Sequence, residues 1–152
     1  MRIRTAATLG FAATLAAGVL SPAVAAPKPK PKPKPVTKSY VAQAFPPDPT
    51  HFVDGPVCNQ KIKQAQHNEP FTVPFPGTMT IDMTGFQGDW DLAIFDTDDA
   101  QVAQSAQSTS EPLDRPEQIV IKLKKKGYKF FIRACNFSGG PTANVKYSHV
   151  AL

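Results

Sequence analysis

Six aspartates stand close together in this chain: Asp82, Asp89, Asp91, Asp96, Asp98 and Asp99. Carboxylate oxygens suit hard cations, and calcium takes roughly six to eight oxygen ligands, so Asp82, Asp89, Asp91, Asp96 and Asp98 form the candidate calcium site. It is not an EF-hand loop. Counted from Asp96, the sixth position holds Gln101 where glycine is needed, and the twelfth holds Gln107 where glutamate is needed. The plainer reading, which we prefer, is that these are solvated carboxylates of turns and edge strands. No other cofactor is indicated. His51, His67 and His149 do not pair at metal-binding or catalytic spacing, and the chain has no Gly-x-Ser-x-Gly elbow, phosphate loop or HExxH motif. The expectation is a protein without catalysis.

Two cysteines, Cys58 and Cys135, lie far apart, and neither belongs to a CxxC pair. In an oxidising compartment such a pair reads as one disulfide closing a long loop, in preference to a metal ligand or reactive thiol. The compartment follows from the first 26 residues. Arg2 and Arg4 precede an apolar run from Leu9 to Leu20, and Ala23-Val24-Ala25 is an A-x-A cleavage site. The run is short and a proline-rich stretch follows it, so a secretory leader is expected, not a transmembrane anchor. The protein is therefore expected to be secreted and extracellular.

The net charge of +5 is carried by the N-terminal region. Two of the 17 Lys and Arg belong to the leader and five to the stretch ending at Lys38; the ten that remain face 12 Asp and Glu. A domain with that balance is not expected to bind nucleic acid. From Pro27 to Pro35 proline alternates with lysine, which dictates an extended, solvated polyproline II segment of about 3.1 Å per residue. It reads as a stiff spacer. The alternative is a tail, Lys28, Lys30, Lys32 and Lys34, that attaches to anionic cell-envelope polymers. Lys122 to Lys129 reads as a solvated basic hairpin that blocks edge pairing, with an anionic ligand on that edge as the other possibility.

The elements that must position these groups are strands. In the stretch Gly85–Asp96, Trp90, Leu92 and Ile94 alternate with Asp89, Asp91 and Ala93, the period-two pattern of a half-buried strand entered from a tight turn at Gln87-Gly88. Met79, Ile81 and Met83 form one face of the preceding strand; Thr80, Asp82 and Thr84 form the other. Phe71 to Val73 is a short strand, residues 100–106 a weaker one, and 108–116 a polar loop. Ile119, Ile121 and Leu123 alternate, Gly127 turns the chain, and Tyr128, Phe130, Ile132 and Ala134 line the core side of the return strand. The last strand carries Ala143, Val145 and Tyr147. About seven short strands without an amphipathic helix predict an all-β, jelly-roll-like antiparallel β-sandwich. The domain reading is a leader over 1–26, a Pro-Lys-rich linker over 27–38, an irregular arm over 39–68 and the sandwich over 69–152. Because Cys135 lies on the face opposite Phe130 and Ile132, the arm carrying Cys58 is expected to cross outside that sheet. It should cover Phe131 and pack through Phe45 and Phe52.

The order of Gly77–Asp96, Val102-Ala103-Gln104-Ser105, Ile119-Val120-Ile121 and Gly127-Tyr128-Lys129-Phe130-Phe131-Ile132-Arg133 resembles the bacterial pre-peptidase C-terminal domain. The likeness covers about Glu69 to Val150. It implies a jelly-roll-like sandwich of the kind found at the ends of secreted peptidases, with relatives that include collagen-binding modules of clostridial collagenases. No peptidase precedes the stretch here, and the arm with its cysteine departs from the pattern. The resemblance therefore implies a stand-alone secreted binding or adhesion module for an extracellular protein or polysaccharide. The alternative is a regulatory or stabilising accessory of a separate secreted peptidase.

Overall fold

Alternating side chains build the main core between the two sheets. Met79, Ile81 and Met83, then Trp90, Leu92 and Ile94, then Phe130, Ile132 and Ala134, then Ala143, Val145 and Tyr147 are all buried and pack together. They belong to a computed structural model that describes residues 30–48, 57–105 and 116–152. Among the described residues are eight strands: β1 (Val36–Gln43), β2 (Gln66–Thr72), β3 (Gly77–Thr84), β4 (Gly88–Asp96), β5 (Gln101–Ser105), β6 (Glu117–Leu123), β7 (Lys129–Gly139) and β8 (Thr142–Ala151). The antiparallel pairs β1·β8, β2·β7, β3·β6 and β4·β5 form one long folded ribbon. Rolling that ribbon adds β3·β8 and β4·β7. The result is a sandwich of two sheets, β1-β8-β3-β6 and β2-β7-β4-β5, here called sheet 1 and sheet 2. Eight strands so arranged are a jelly roll.

The turn into β4 depends on two glycines. Gly88 (φ 88°) pairs with Gly139 (φ 108°), and a Cβ on either would lie 2.3 Å or less from backbone oxygen of the facing strand. The Trp90 indole then donates to the Gly140 carbonyl at 3.1 Å. The fully buried Asn136 amide donates to Ala44 O and Gly140 O, both at 2.9 Å.

Two strands lie in the region expected to be irregular. β1 is an edge strand in which only Ala42 is buried, so its sequence VTKSYVAQ shows no alternation; eight register positions against β8 hold it in place. β2 begins at Gln66, not at Phe71, and its run QHNEPFT includes a proline. Pro70 is tolerated because β2 is the free edge of sheet 2, where a missing donor costs no ladder bond on the open side. β1 and β2 are joined across the sandwich's side: Lys38 Nζ donates to Glu69 Oε1 at 2.5 Å, and Tyr40 stacks on His67 at 5.5 Å.

Between those strands the chain crosses the outer face of sheet 2, as the position of Cys135 requires. Cys58 and Cys135 form a disulfide spanning 77 residues. Val57, Cys58 and Ala65 bury themselves against Ala93, Phe95 and Cys135 as a second, smaller core. The residue covered is Phe95, and not Phe131, which stays partly exposed. Both rings are on inner strands, but the arm's Val57, Cys58 and Ala65 pack with Phe95 and the Arg133 guanidinium lies over its ring, whereas Phe131 sits opposite Pro70 of the edge strand β2 and outside that cluster. Phe45 does not pack either: its side chain is 62 % exposed, and only its backbone N–H is anchored, to Gln64 O at 2.7 Å. Phe52, the leader and most of the 108–116 loop lie outside the described residues.

Closure of a loop this long by a disulfide stabilises by about 2 to 5 kcal/mol. The double variant Cys58→Ser/Cys135→Ser should therefore lower unfolding free energy by about 2–4 kcal/mol in urea melts, and intact mass with and without reductant should show one disulfide in the parent chain.

Candidate binding surface

The two sheets differ in what covers them. Sheet 2 carries the arm on its outer face, whereas among the described residues nothing lies over the outer face of sheet 1. That face is built from the positions between the core residues. Thr78, Thr80, Asp82 and Thr84 come from β3; Asn144, Lys146 and Ser148 from β8; Ser39 and Val41 from β1. The register sets them in rows. Ser39, Lys146 and Asp82 face one another across three strands, and Val41, Asn144 and Thr84 form the next row. Gln118 Nε2 on β6 extends the first row, donating to Asp82 Oδ1 at 2.6 Å.

These two rows line an open groove of about 540 Å³ whose walls are Ser39, Val41, Asp82, Thr84, Asn144 and Lys146. Most of the surface it exposes is apolar, with Val41 53 % exposed and Tyr40 and Val145 also lining it, and the hydroxyls, amide, carboxylate and ammonium of Ser39, Thr84, Asn144, Asp82 and Lys146 supply a smaller polar share. The volume falls in the range of small-ligand clefts. No nucleophile–base pair lines it. Gly85 (φ 66°) lies beside Asn144: a Cβ there would stand 2.5 Å from the Asn144 amide nitrogen, so a larger residue would strain the backbone and displace that side chain.

On the covered side, Arg133 is the anchor. It is 9 % exposed, and its guanidinium lies 3.9 Å from the centre of the Phe95 ring. Its Nε donates to Asn68 Oδ1 at 2.8 Å, its Nη1 to Cys58 O at 3.0 Å and its Nη2 to Asp99 Oδ1 at 2.6 Å. One side chain thus joins β2, the arm and the β4–β5 turn. A small cleft of about 250 Å³ lies beside it, lined by Gln60, Lys61, Lys63, Gln66 and Asn68.

The five candidate calcium ligands are not brought together. Asp82 is on the outer face of sheet 1, while Asp89 and Asp91 are on the outer side of sheet 2, with the core between them. β3 and β4 follow each other in sequence but roll into different sheets, so they are not adjacent strands. Asp91 is buried at 9 % exposure. Asp96 shapes its own turn, accepting from Asp98 N and Ala100 N at 2.9 Å each, and Asp99 is bound to Arg133. Among the described residues no group of three or more His, Cys, Asp or Glu side chains could hold a metal ion. His149 is fully buried, with Nε2 2.8 Å from Phe75 O and its ring stacked on Phe75. The sequence pattern marks Asp82 and Thr84 as the outer side of an alternation, whereas β1, which supplies Ser39 and Val41, shows no alternation to read.

Two predictions concern this architecture. Burial raises the Asp89 carboxyl above the usual aspartate value. A carboxyl raised in the fold binds its proton more tightly folded than unfolded, so its ionisation lowers stability as pH rises through that window. Asp89→Asn should therefore melt higher than the parent at neutral pH, and the difference should vanish below about pH 3.8, where both states are protonated. For Arg133, the bonds to Asn68 and to the Cys58 carbonyl should outweigh the ion pair with the 52 % exposed Asp99. Arg133→Lys should cost about 2 kcal/mol in urea melts, and Asp99→Asn less than about 1 kcal/mol.

No protein-family model matches the chain, and no curated protein matches it. Among solved structures, the globular domain of the zebrafish complement 1qA protein is similar at 14 % identity with a TM-score of 0.42, the match covering 80 % of this chain and 98 % of that one.

Proposed function

We propose that this protein is a secreted, non-catalytic binding module of the pre-peptidase C-terminal type, whose open sheet-1 face meets a polysaccharide or an extracellular protein. One observation carries the reading. Among the described residues the two outer faces are treated oppositely: one is covered by a disulfide-tied arm, and the other is left open with a groove in which polar side chains border an apolar floor. Hydroxyl, amide and paired charged groups on a flat sheet suit a polyhydroxylated chain, which lies along strands and exchanges its water for donors and acceptors in register. Residues 27–38 act as the stalk that holds this face away from the surface it is tethered near, and Lys28, Lys30, Lys32 and Lys34 attach it to anionic envelope polymers.

The test is retention of the purified chain on insoluble cellulose, chitin, peptidoglycan and fibrillar collagen, alongside recovery of partners from culture supernatant. Ser39→Arg/Thr84→Arg places bulky side chains in the groove at exposed strand positions. The variant should melt within a few degrees of the parent, about 0.5 kcal/mol per surface change, and lose about tenfold or more of the retention. Retention on none of these solids, with a stoichiometric peptidase recovered instead, would replace the binding-module reading with that of a peptidase accessory.

A further inference from the structure

The strand register places the two lysine-rich stretches of the chain at the same end of the sandwich. Val36, where the Pro-Lys stretch enters β1, lies opposite His149; Gly77 lies opposite both Ala151 and Leu123. The start of β1, the end of β8, the start of β3 and the end of β6 therefore share one rim of sheet 1. β1 and β6 are the two edges of that sheet. Three strand spacings, roughly 14 Å, separate them. At one edge are Lys32 and Lys34; at the other the hairpin tip Lys124-Lys125-Lys126-Gly127, with Lys122 just before it. All these lysines are exposed, and no carboxylate among the described residues forms an ion pair with any of them.

The rim between the clusters consists of the Val73–Gly77 loop and residues Val150–Leu152, which include no acidic side chain; the carboxylate of Leu152 is the one negative group of this sequence there, against six lysines. It is also fixed: Gly127 N donates to Val73 O at 2.8 Å, Val73 N to Tyr128 O at 2.9 Å and Leu152 N to Pro76 O at 3.4 Å. Gly127 adopts φ 81° with open space around it, so the hairpin tip is a tight turn that projects its lysines. Asp96 and Asp98 belong to the β4–β5 turn of sheet 2, on the Tyr128 side, where their charge helps to raise the tyrosine's pKa behind burial, and Glu69 beside the start of β1 is taken up by Lys38.

We propose that this rim, with Lys32 and Lys34 at one edge and Lys122, Lys124, Lys125 and Lys126 at the other, is a binding surface for a linear phosphodiester polymer. The inference rests on the tail being an attachment segment and extends that attachment to the folded domain. Two features favour a flexible polymer over a flat bilayer. A polyproline II segment turns once in three residues, so lysines at alternate positions point in different directions and cannot all face one plane. The hairpin tip, Lys124 to Gly127, also carries no apolar side chain for insertion, and the exposed Val150 and Leu152 stand on the rim between the clusters, at neither lysine cluster. The clusters lie further apart than the Debye length of about 8 Å, so each contributes as a separate contact joined through the polymer.

The experiment measures binding of the full chain to poly(glycerol phosphate) as salt is varied. The hairpin variant replaces Lys122, Lys124, Lys125 and Lys126 with Gln, the tail variant replaces Lys28, Lys30, Lys32 and Lys34 with Gln, and a third carries both sets. Thermal melts confirm folding, and Ser39→Arg/Thr84→Arg reports on the groove. The hairpin variant should bind about tenfold or more weakly at low salt, and its slope of log K against log salt should be shallower by up to about three units. The combined variant should be weaker than either set alone. Parent-like binding by the hairpin variant, with loss in the tail variant, would overturn the inference and leave tail attachment standing. Parent-like binding by all three would overturn both. Tighter binding to anionic phosphatidylglycerol vesicles than to the polymer would overturn it in favour of a membrane.

Discussion

The structure depends on covering sheet 2 twice. An antiparallel sheet ordinarily buries one face and wets the other, but β4 places Trp90, Leu92 and Ile94 on the inner side and Ala93 and Phe95 on the outer, all buried. The outer residues need a lid, and a short irregular segment with Val57, Ile62 and Ala65 has too little apolar surface to stay docked by packing alone. The disulfide to Cys135 supplies the missing constraint, and Arg133 completes it by satisfying a carbonyl of the arm, the Asn68 side chain and Asp99 at once. The arm connects β1 to β2, so pinning it also sets where those two edge strands leave and rejoin the sandwich.

This arrangement makes the molecule two-sided. The arm occupies one outer face and brings β1 to the edge of the other sheet, where Ser39 and Val41 complete a groove begun by β3 and β8. The same placement brings the lysines before β1 onto the rim shared with the β6–β7 hairpin. An open groove on one face and a lysine-rich rim are thus consequences of one connection.

The acidic residues show why proximity in sequence misleads here. Asp82 and Asp89 are seven residues apart on consecutive strands, which suggests neighbours in one sheet. In a jelly roll consecutive strands usually cross to the opposite sheet, so the two carboxylates face opposite sides of a core sheet-to-sheet distance of about 10 Å. Asp96 and Asp99 are used locally, one shaping its turn and one bound to Arg133.

Much of the sandwich was legible in the amino-acid order because burying one face of a strand imposes period two. That rule identified the core sides of β3, β4, β7 and β8 and the weaker β5 and β6, and together with the pairing of the two cysteines it gave the passage of the arm outside the sheet carrying Cys135. It could not reveal β1 or most of β2. Both are edge strands whose residues are largely exposed, so their conformation comes from backbone pairing with β8 and β7, and backbone hydrogen bonds leave no mark on side-chain type. Nor could it choose Phe95 over Phe131 as the covered ring, or separate Asp82 from Asp89. Those depend on which strands become neighbours, and strand neighbours are set by how the whole ribbon rolls, a contact between residues far apart in the chain.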